Sequence, residues 1–267
     1  MTYLLILLAV SLAVSSIGWK YFIYFFSVGY GFSVALLAVA IAALFWHEIT
    51  PPTVVMLVTM VLYGCRLGLY LLKRERNSAA YRKILYDPSL KPKKPVGVML
   101  AVWLFCAFLY VGQVSPLAFR LGNAAHGAAT SPVWAWVGAV LMVAGTLLET
   151  GADAQKARAK KSNPNRFVDT GLYRIVRCPN YLGEVVLWTG TFLSCIGASC
   201  TPWQWVIAGL GYAGILYVMF SGARRLELRQ NEVYGNNPEY QAYVRRVPIL
   251  IPLIPLYSVV KYKWLQA

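Results

Sequence analysis

The chain reads as an all-α integral membrane protein. It is expected to form a bundle of seven transmembrane helices, with the N-terminus outside and the C-terminus in the cytoplasm. Three observations predict this. Of the 267 residues, 58% are hydrophobic and only 13% are charged, whereas a soluble domain carries about 25% charge. The hydrophobic residues fall in blocks long enough for a bilayer, which takes about 20 residues per helix. The cations gather in a few segments, as the positive-inside rule requires.

Seven blocks qualify: residues 2–17, 21–45, 53–72, 96–117, 132–148, 181–200 and 203–222. The first is short and ends at Trp19-Lys20. The second opens on Tyr and Phe suited to a membrane interface. The third follows Pro51-Pro52, and the last two are separated by Thr201-Pro202. Residues 73–95 hold eight basic side chains, residues 151–180 hold seven, and residues 224–267 hold seven, so 22 of the 25 Lys and Arg lie in these segments. Seven spans put all three on one side, the cytoplasmic side. Beyond the last span, Arg224-Arg225-Leu-Glu227-Leu-Arg229 continues the helix out of the membrane. The proline-rich run 248–255 is too short to cross and is expected at the interface or over the cytoplasmic mouth. No repeat or low-complexity segment breaks the chain, so 1–267 reads as a single membrane domain. The start Met-Thr-Tyr-Leu-Leu lacks a basic n-region, so no cleaved signal peptide is expected and the first helix is retained.

Composition also excludes some classes. A net charge of +15 suggests nucleic acid in a soluble protein, but its confinement to three segments is explained by orientation in the membrane. No nucleic-acid partner is expected. Five cysteines show no paired spacing, and two histidines are too few for a cluster, so no metal site is expected. Gly209-Leu-Gly211-Tyr-Ala-Gly214 matches a dinucleotide fingerprint by letter. That fingerprint needs a preceding strand; inside an apolar span, small residues for close helix packing explain it better.

Polar residues within apolar runs are functional candidates because burying them is costly. Arg66 lies in the third block and shares a helix face with Tyr63. Glu48, beside His47, lies where the second and third blocks join, and Glu184 opens the sixth. A tyrosine hydroxyl can donate to a carbonyl oxygen that gains charge, with a nearby carboxyl group to orient it.

Residues 149–184 form the most varied polar stretch, lying between two apolar walls. Asp153, Lys160, Asn165, Arg166, Tyr173, Arg177, Asn180, Tyr181 and Glu184 lie there, and Arg224, Glu227 and Tyr240 follow in the tail. Arg and Lys suit phosphates, Asn and carboxylates suit hydroxyls, and Tyr suits flat rings. This inventory fits a large anionic cofactor. It also fits a solvated loop resting on anionic lipid, the reading that suits the basic segment 73–95.

At these residues the chain resembles a known family. Gly171-Leu-Tyr-Arg-Ile-Val-Arg-Cys-Pro-Asn-Tyr-Leu-Gly-Glu184 is similar to the C-terminal signature of the steroid 5α-reductases and their bacterial relatives. Asp153, Arg224-Arg225-Leu-Glu227 and Tyr240-Gln-Ala-Tyr243 fit the same pattern, and the resemblance covers roughly residues 55–255. A related signature, Arg-His-Pro-x-Tyr, occurs in isoprenylcysteine and phospholipid methyltransferases. Cys178 stands where many relatives have His. Tyr63-Gly-Cys-Arg66 resembles the reductases' tyrosine-and-arginine segment, and Trp46-His47-Glu48 their glutamine-glutamate pair, with His47 in place of glutamine.

The resemblance implies NADPH as hydride donor and a Δ4-3-oxo steroid or similar enone lipid from the bilayer as acceptor. It implies helices one to five (1–148) as the substrate side and 149–267 as the cofactor side. Asp153, Asn165, Arg166, Tyr173, Asn180 and Glu184 would contact the cofactor, with Lys160 near a family arginine and Glu227 near a family histidine. Tyr63, with Glu48 and His47, would polarise the substrate carbonyl. Tyr63 lies about 15 Å further along its helix than Glu48, at 1.5 Å per residue, so the two meet only if the second helix runs on or the chain bends at Pro51-Pro52. A multi-pass protein of a bacterial inner membrane, acting as a monomer among membrane lipids, is expected. The alternative is a membrane methyltransferase using S-adenosylmethionine, which explains the loop and leaves Tyr63 and Arg66 without a role. A sterol-binding protein without catalysis is a third reading, and it leaves the loop's chemistry unexplained.

Overall fold

The computed structural model describes residues 2–77 and 95–266. Among these, helices and turns make up all regular structure and no strand occurs. The helices are α1 (Thr2–Ser15), α2 (Val28–Leu44), α3 (Pro51–Asn77), α4 (Val96–Ala125), α5 (Pro132–Ser162), α6 (Pro179–Leu193), α7 (Pro202–Tyr234) and α8 (Pro238–Arg246). Short 3-10 turns lie at Ser16–Trp19, Phe22–Phe25, Trp46–Glu48 and Gly171–Arg174. Most of the basic segment read as lipid-facing, residues 78–94, lies outside the described residues.

Local chemistry explains where the helices begin. Proline opens α3, α5, α6, α7 and α8, at the first helical position where its missing N–H is not needed. Before α3, the Thr50 N–H donates to Thr53 Oγ1 at 2.8 Å. Before α7, the Thr201 N–H donates to Gln204 Oε1 at 2.9 Å, a reach-back that satisfies an end donor. Asn237 caps α8 by accepting from the Glu239 and Tyr240 N–H groups.

Six helical segments are long and apolar enough to cross a membrane: Thr2–Trp19, Phe22–Leu44, Pro51–Asn77, Val96–Ala125, Pro132–Ser162 and Pro202–Tyr234. The stretch expected as the sixth of seven spans is different. There α6 has 15 residues, followed by turns from Ser194 to Ser199. At 1.5 Å per residue the helix is about 22 Å long, against about 30 Å of hydrocarbon.

The chain forms two compact units. The first comprises Met1–Ala139 and Thr191–Tyr212, and the second Val140–Gly190 and Ala213–Ala267.

In the first unit α2 packs on α1, α3 and α4. Helices in lipid gain little from hydrophobic association and use small residues to approach closely. A Cβ added at Gly64 would stand 2.5 Å from the Gly31 carbonyl oxygen and 2.7 Å from the Ala35 nitrogen. One added at Gly31 would stand 2.6 Å from the Gly68 nitrogen, so α2 and α3 cross backbone to backbone. A second crossing joins α4 to α7 at Gly112 and Gly211; there a Cβ on Gly211 would lie 2.2 Å from the Gly112 carbonyl carbon. This gives Gly211 of the fingerprint-like run a packing role, while Gly209 meets nothing within 4 Å. Pro116 removes an N–H from α4, and Ser115 Oγ donates to the Gly112 carbonyl one turn back at 2.8 Å. At one end of this unit, buried Arg120 donates to the carbonyls of Ser194 and Ser131, both at 2.8 Å. Asn123 and Gln204 exchange amide hydrogen bonds of 3.0 and 2.9 Å.

In the second unit α5 and α6 cross in the same way. A Cβ at Gly145 would stand 2.5 Å from both the Gly183 carbonyl oxygen and the Leu187 nitrogen.

The crossings make a paired prediction. Gly64→Ala is expected to lower stability by about 1–3 kcal/mol, the usual cost of overpacking, while Gly209→Ala leaves it unchanged or slightly raised. Thermal unfolding of the two purified variants checks this. Equal midpoints would remove the close crossing as a constraint.

Candidate functional site

In the first unit the α2–α3 crossing sets the site. Tyr30 precedes Gly31 and Tyr63 precedes Gly64, so the glycine contact draws the two tyrosines together. Their hydroxyls lie 3.1 Å apart, and Tyr63 is fully buried. In such a pair one hydroxyl donates and the other accepts. The Tyr110 ring leans against Tyr30, with centroids 5.2 Å apart, and the Tyr110 hydroxyl donates to the Phe25 carbonyl. Arg66 sits one turn beyond Tyr63, partly buried.

The expected partners of Tyr63 are elsewhere. His47 and Glu48 occupy the 3-10 turn before α3, where His47 is exposed and its ring lies against Trp46. Tyr63 is 12 residues beyond Pro51, about 18 Å along α3. The chain turns sharply at Pro51 and α2 has already ended at Leu44, so neither His47 nor Glu48 is brought to the Tyr63 hydroxyl. Tyr30 takes that place. Residue type does not single it out among 18 tyrosines, although the flanking Gly29 and Gly31 match the Gly that follows Tyr63.

The second unit carries the polar stretch. On α5, Glu149, Asp153, Lys156 and Lys160 recur at intervals of four, three and four residues and so lie along one face. The Gly145–Gly183 crossing brings α6 to this face, because a Cβ on Gly183 would stand 2.6 Å from the Glu149 nitrogen. Glu149 and Glu184 are both buried. Asp153, Asn180 and Tyr181 are partly buried. A Cβ added at Gly222 of α7 would stand 3.3 Å from the Tyr181 ring.

Several expected cofactor residues have protein partners that shape the loop. All three N–H groups of the Lys160 ammonium are engaged, by the Pro164 carbonyl at 3.0 Å, the Arg166 carbonyl at 2.7 Å and the Tyr234 hydroxyl at 2.9 Å. Arg166 bridges Asp169 at 3.0 Å and Glu239 at 2.8 Å on the surface, and these two acids, Asp169 first, raise its pKa. Tyr173 donates to the Ala152 carbonyl at 3.2 Å, and its own carbonyl accepts from Tyr243 at 2.8 Å. Tyr240 donates to Asn231 at 2.9 Å and packs with Phe167 and Tyr243. Arg224 holds the chain end through the Val260 carbonyl at 3.2 Å. Asn165 is exposed. Gln155, outside the expected set, accepts from the Leu172 N–H at 2.9 Å, next to Gly171 at φ +60°. With Arg158 and Ser162 it lines a cleft of about 320 Å³.

Arg177 and Glu227 form the centre of this unit. Their ion pair is 2.9 Å long with both side chains 1% exposed. Arg177 also donates to the Tyr257 carbonyl, and the other Glu227 oxygen accepts from the Val259 N–H at 2.9 Å. The backbone N–H groups of Arg177 and Cys178 donate to Pro248 and Ile249. The proline-rich run is thus folded back onto the signature segment. Two guanidinium nitrogens of Arg177, Nε and Nη1, are buried without a hydrogen-bond partner among the described residues. Burial pushes the Cys178 thiol from its ordinary 9.0 up to about 12, against the opposing charges of Arg177 and Lys156.

Comparison with known proteins adds the following. The family model described as "Protein of unknown function (DUF1295)" matches residues 23–247. Over 85 residues the chain is 31% identical to "Steroid 5-alpha-reductase DET2" of Arabidopsis thaliana; the match covers 30% of this chain and 29% of that protein. The chain therefore spans less than a third of that relative's length. No solved structure matches the chain.

The second unit's geometry can be tested in two ways. Removing one partner of a buried ion pair costs about 3–5 kcal/mol, whereas replacing both by apolar groups costs much less. Arg177→Met and Glu227→Leu should each lower the unfolding midpoint strongly, and the double variant should recover much of the loss. Additive losses would count against the pair. The raised Cys178 pKa contributes stability that is present below pH 9, where folded and unfolded thiols are both protonated, and is lost as pH rises toward 12. Folded protein should also leave Cys178 unlabelled by maleimide at pH 8, with mass spectrometry locating the adduct; prompt labelling would contradict the burial.

Proposed function

The chain belongs to the DUF1295 family, and from that premise we propose that it is a membrane-bound reductase. Its substrate is a 3-oxo-Δ4 steroid or similar enone lipid, which it converts to the 5α-dihydro ketone. The observation that carries this reading is the buried Tyr30–Tyr63 hydroxyl pair among apolar helices. The partial identity to a plant protein named as a steroid 5α-reductase supports it.

Tyr63 donates a hydrogen bond to the C3 carbonyl oxygen of the enone. Tyr30 accepts from or donates to Tyr63 at 3.1 Å and fixes the direction of its hydroxyl. As the double bond is reduced, negative charge grows on the carbonyl oxygen, and a donor already aimed at that position lowers the barrier. The apolar helices exclude water, which strengthens this interaction.

The residues of the second unit fit a dinucleotide such as NADPH. Nε and Nη1 of Arg177 are buried donors without a protein partner among the described residues, suited to a phosphate oxygen. Glu149, Asp153 and Glu184, on the facing α5 and α6 surfaces, suit ribose hydroxyls. Arg158, Lys161 and Arg174 are exposed and suit a 2′-phosphate. When bound, NADPH supplies the hydride that C5 receives, with a proton going to C4. Lys160, Arg166 and Arg224 act by holding the loop and chain end in place through the bonds described above.

The proposed topology keeps seven crossings, with the basic segments and the cofactor residues in the cytoplasm. The charge distribution supports this orientation. The path of α6 supports the crossing at 181–200. Within the second unit Gly145 meets Gly183, so α6 packs closely beside α5 there.

Purified protein supplied with testosterone or progesterone should consume NADPH and yield the 5α-dihydro product, followed by absorbance and mass spectrometry. Tyr63→Phe should lower kcat by about 10²-fold, the usual loss of one such donor, and Tyr30→Phe by less. Undiminished turnover in Tyr63→Phe would remove Tyr63 from the mechanism. Thermal stabilisation by S-adenosylmethionine but not NADPH would replace the reductase reading with methyl transfer.

A further inference from the structure

Gln113 lies on α4, 3% exposed. Neither its carboxamide oxygen nor its nitrogen has a hydrogen-bond partner among the described residues. A structural amide on the same helix behaves differently. Asn123 pairs reciprocally with Gln204 and also donates to the Ala198 carbonyl at 2.9 Å. Buried amides without partners are costly and rare in folded proteins, so Gln113 differs from Asn123 for a reason.

The position of Gln113 supplies one. It lies three residues, one turn, beyond Tyr110 on α4. Tyr110 leans on Tyr30, whose hydroxyl pairs with Tyr63. Around it on α4, Val111, Val114 and Leu117 are buried and apolar. Its backbone is held firmly, because the α7 crossing brings Gly211 within reach; a Cβ on Gly211 would lie 2.7 Å from the Gln113 nitrogen. Ser115 secures the turn that Pro116 would otherwise leave open. The backbone of Gln113 is thus held one turn from Tyr110, with a buried side chain in apolar surroundings.

We infer that Gln113 is a ligand-contact residue that hydrogen-bonds an oxygen function, hydroxyl or carbonyl, of the lipid held in the first unit. A carboxamide offers both a donor and an acceptor, so it can take either. A site built to bond a polar substrate group rejects analogues lacking it far more strongly than an apolar pocket rejects a change in shape. Gln113 therefore confers affinity and selects for oxygenated lipids, while Tyr63 acts on the reacting carbonyl. This inference rests on reading the first unit as the substrate side.

The test uses full-length Gln113→Met, which keeps side-chain length and removes the amide. Without ligand, its unfolding midpoint should equal or exceed that of the wild type, because no protein hydrogen bond is lost. The dissociation constant and KM for progesterone should rise about tenfold or more, with kcat changed only a few-fold because the Tyr30–Tyr63 pair is intact. Unchanged affinity overturns the inference. A lowered midpoint also overturns it, since the amide then has a structural partner. If wild-type protein neither binds nor reduces progesterone, the reductase reading fails separately. Gln113 is then judged by native mass spectrometry of co-purifying lipid: an oxygenated lipid retained by the wild type and lost from Gln113→Met supports the inference, and equal retention overturns it.

Discussion

Close backbone approach at glycine is the constraint on which the polar chemistry depends. Each of the three crossings stands beside a buried polar side chain. Tyr30 and Tyr63 flank the Gly31–Gly64 contact, Gln113 follows Gly112, and Glu184 follows Gly183. Apolar side chains alone give helices in lipid little reason to choose one partner or register. Glycine allows an approach that a Cβ would forbid, and so fixes which residues face one another. The adjoining polar groups inherit that placement, which is why two tyrosines 33 residues apart bring their hydroxyls to 3.1 Å.

The second unit is organised by charge instead. Arg177 and Glu227 are buried together, and around them the signature segment, α7 and the chain end exchange hydrogen bonds. A buried pair of this kind contributes little net stability but penalises any arrangement that separates it. It specifies one path for the chain. Lys160 and Arg166 do similar work further out, by tying the loop to Tyr234 and Glu239. Much of the basic character of this stretch therefore shapes the loop. Glu149 and Glu184 are buried on the facing α5 and α6 surfaces of the same unit.

The two units divide polar labour differently. In the first, the buried polar groups are mostly uncharged hydroxyls and amides. The Tyr63 hydroxyl lies 3.1 Å from a second phenol, that of Tyr30. In the second, charges are many, and Arg177 with Glu227 and Arg166 with Asp169 and Glu239 form ion pairs.

Helix positions are legible in the sequence because long apolar runs, opening prolines and small capping residues act within a few residues of one another. The concentration of donors at 149–184 is legible for the same reason. Residue pairings are not. Tyr63 with Tyr30, Arg177 with Glu227, and Lys160 with Tyr234 are separated by 33, 50 and 74 positions, and composition carries no record of which distant groups meet. Glu48 illustrates the limit: its residue type suited a partnership with Tyr63, but the turn at Pro51 and the rise of α3 keep it from that hydroxyl. By itself the sequence determined a helical, membrane-spanning chain with its cations gathered in three segments, because hydrophobicity and charge act locally. Only tertiary structure decided which cations hold the fold and which tyrosine partners Tyr63, because the first depends on which distant charges are buried together and the second on where glycine lets two helices touch.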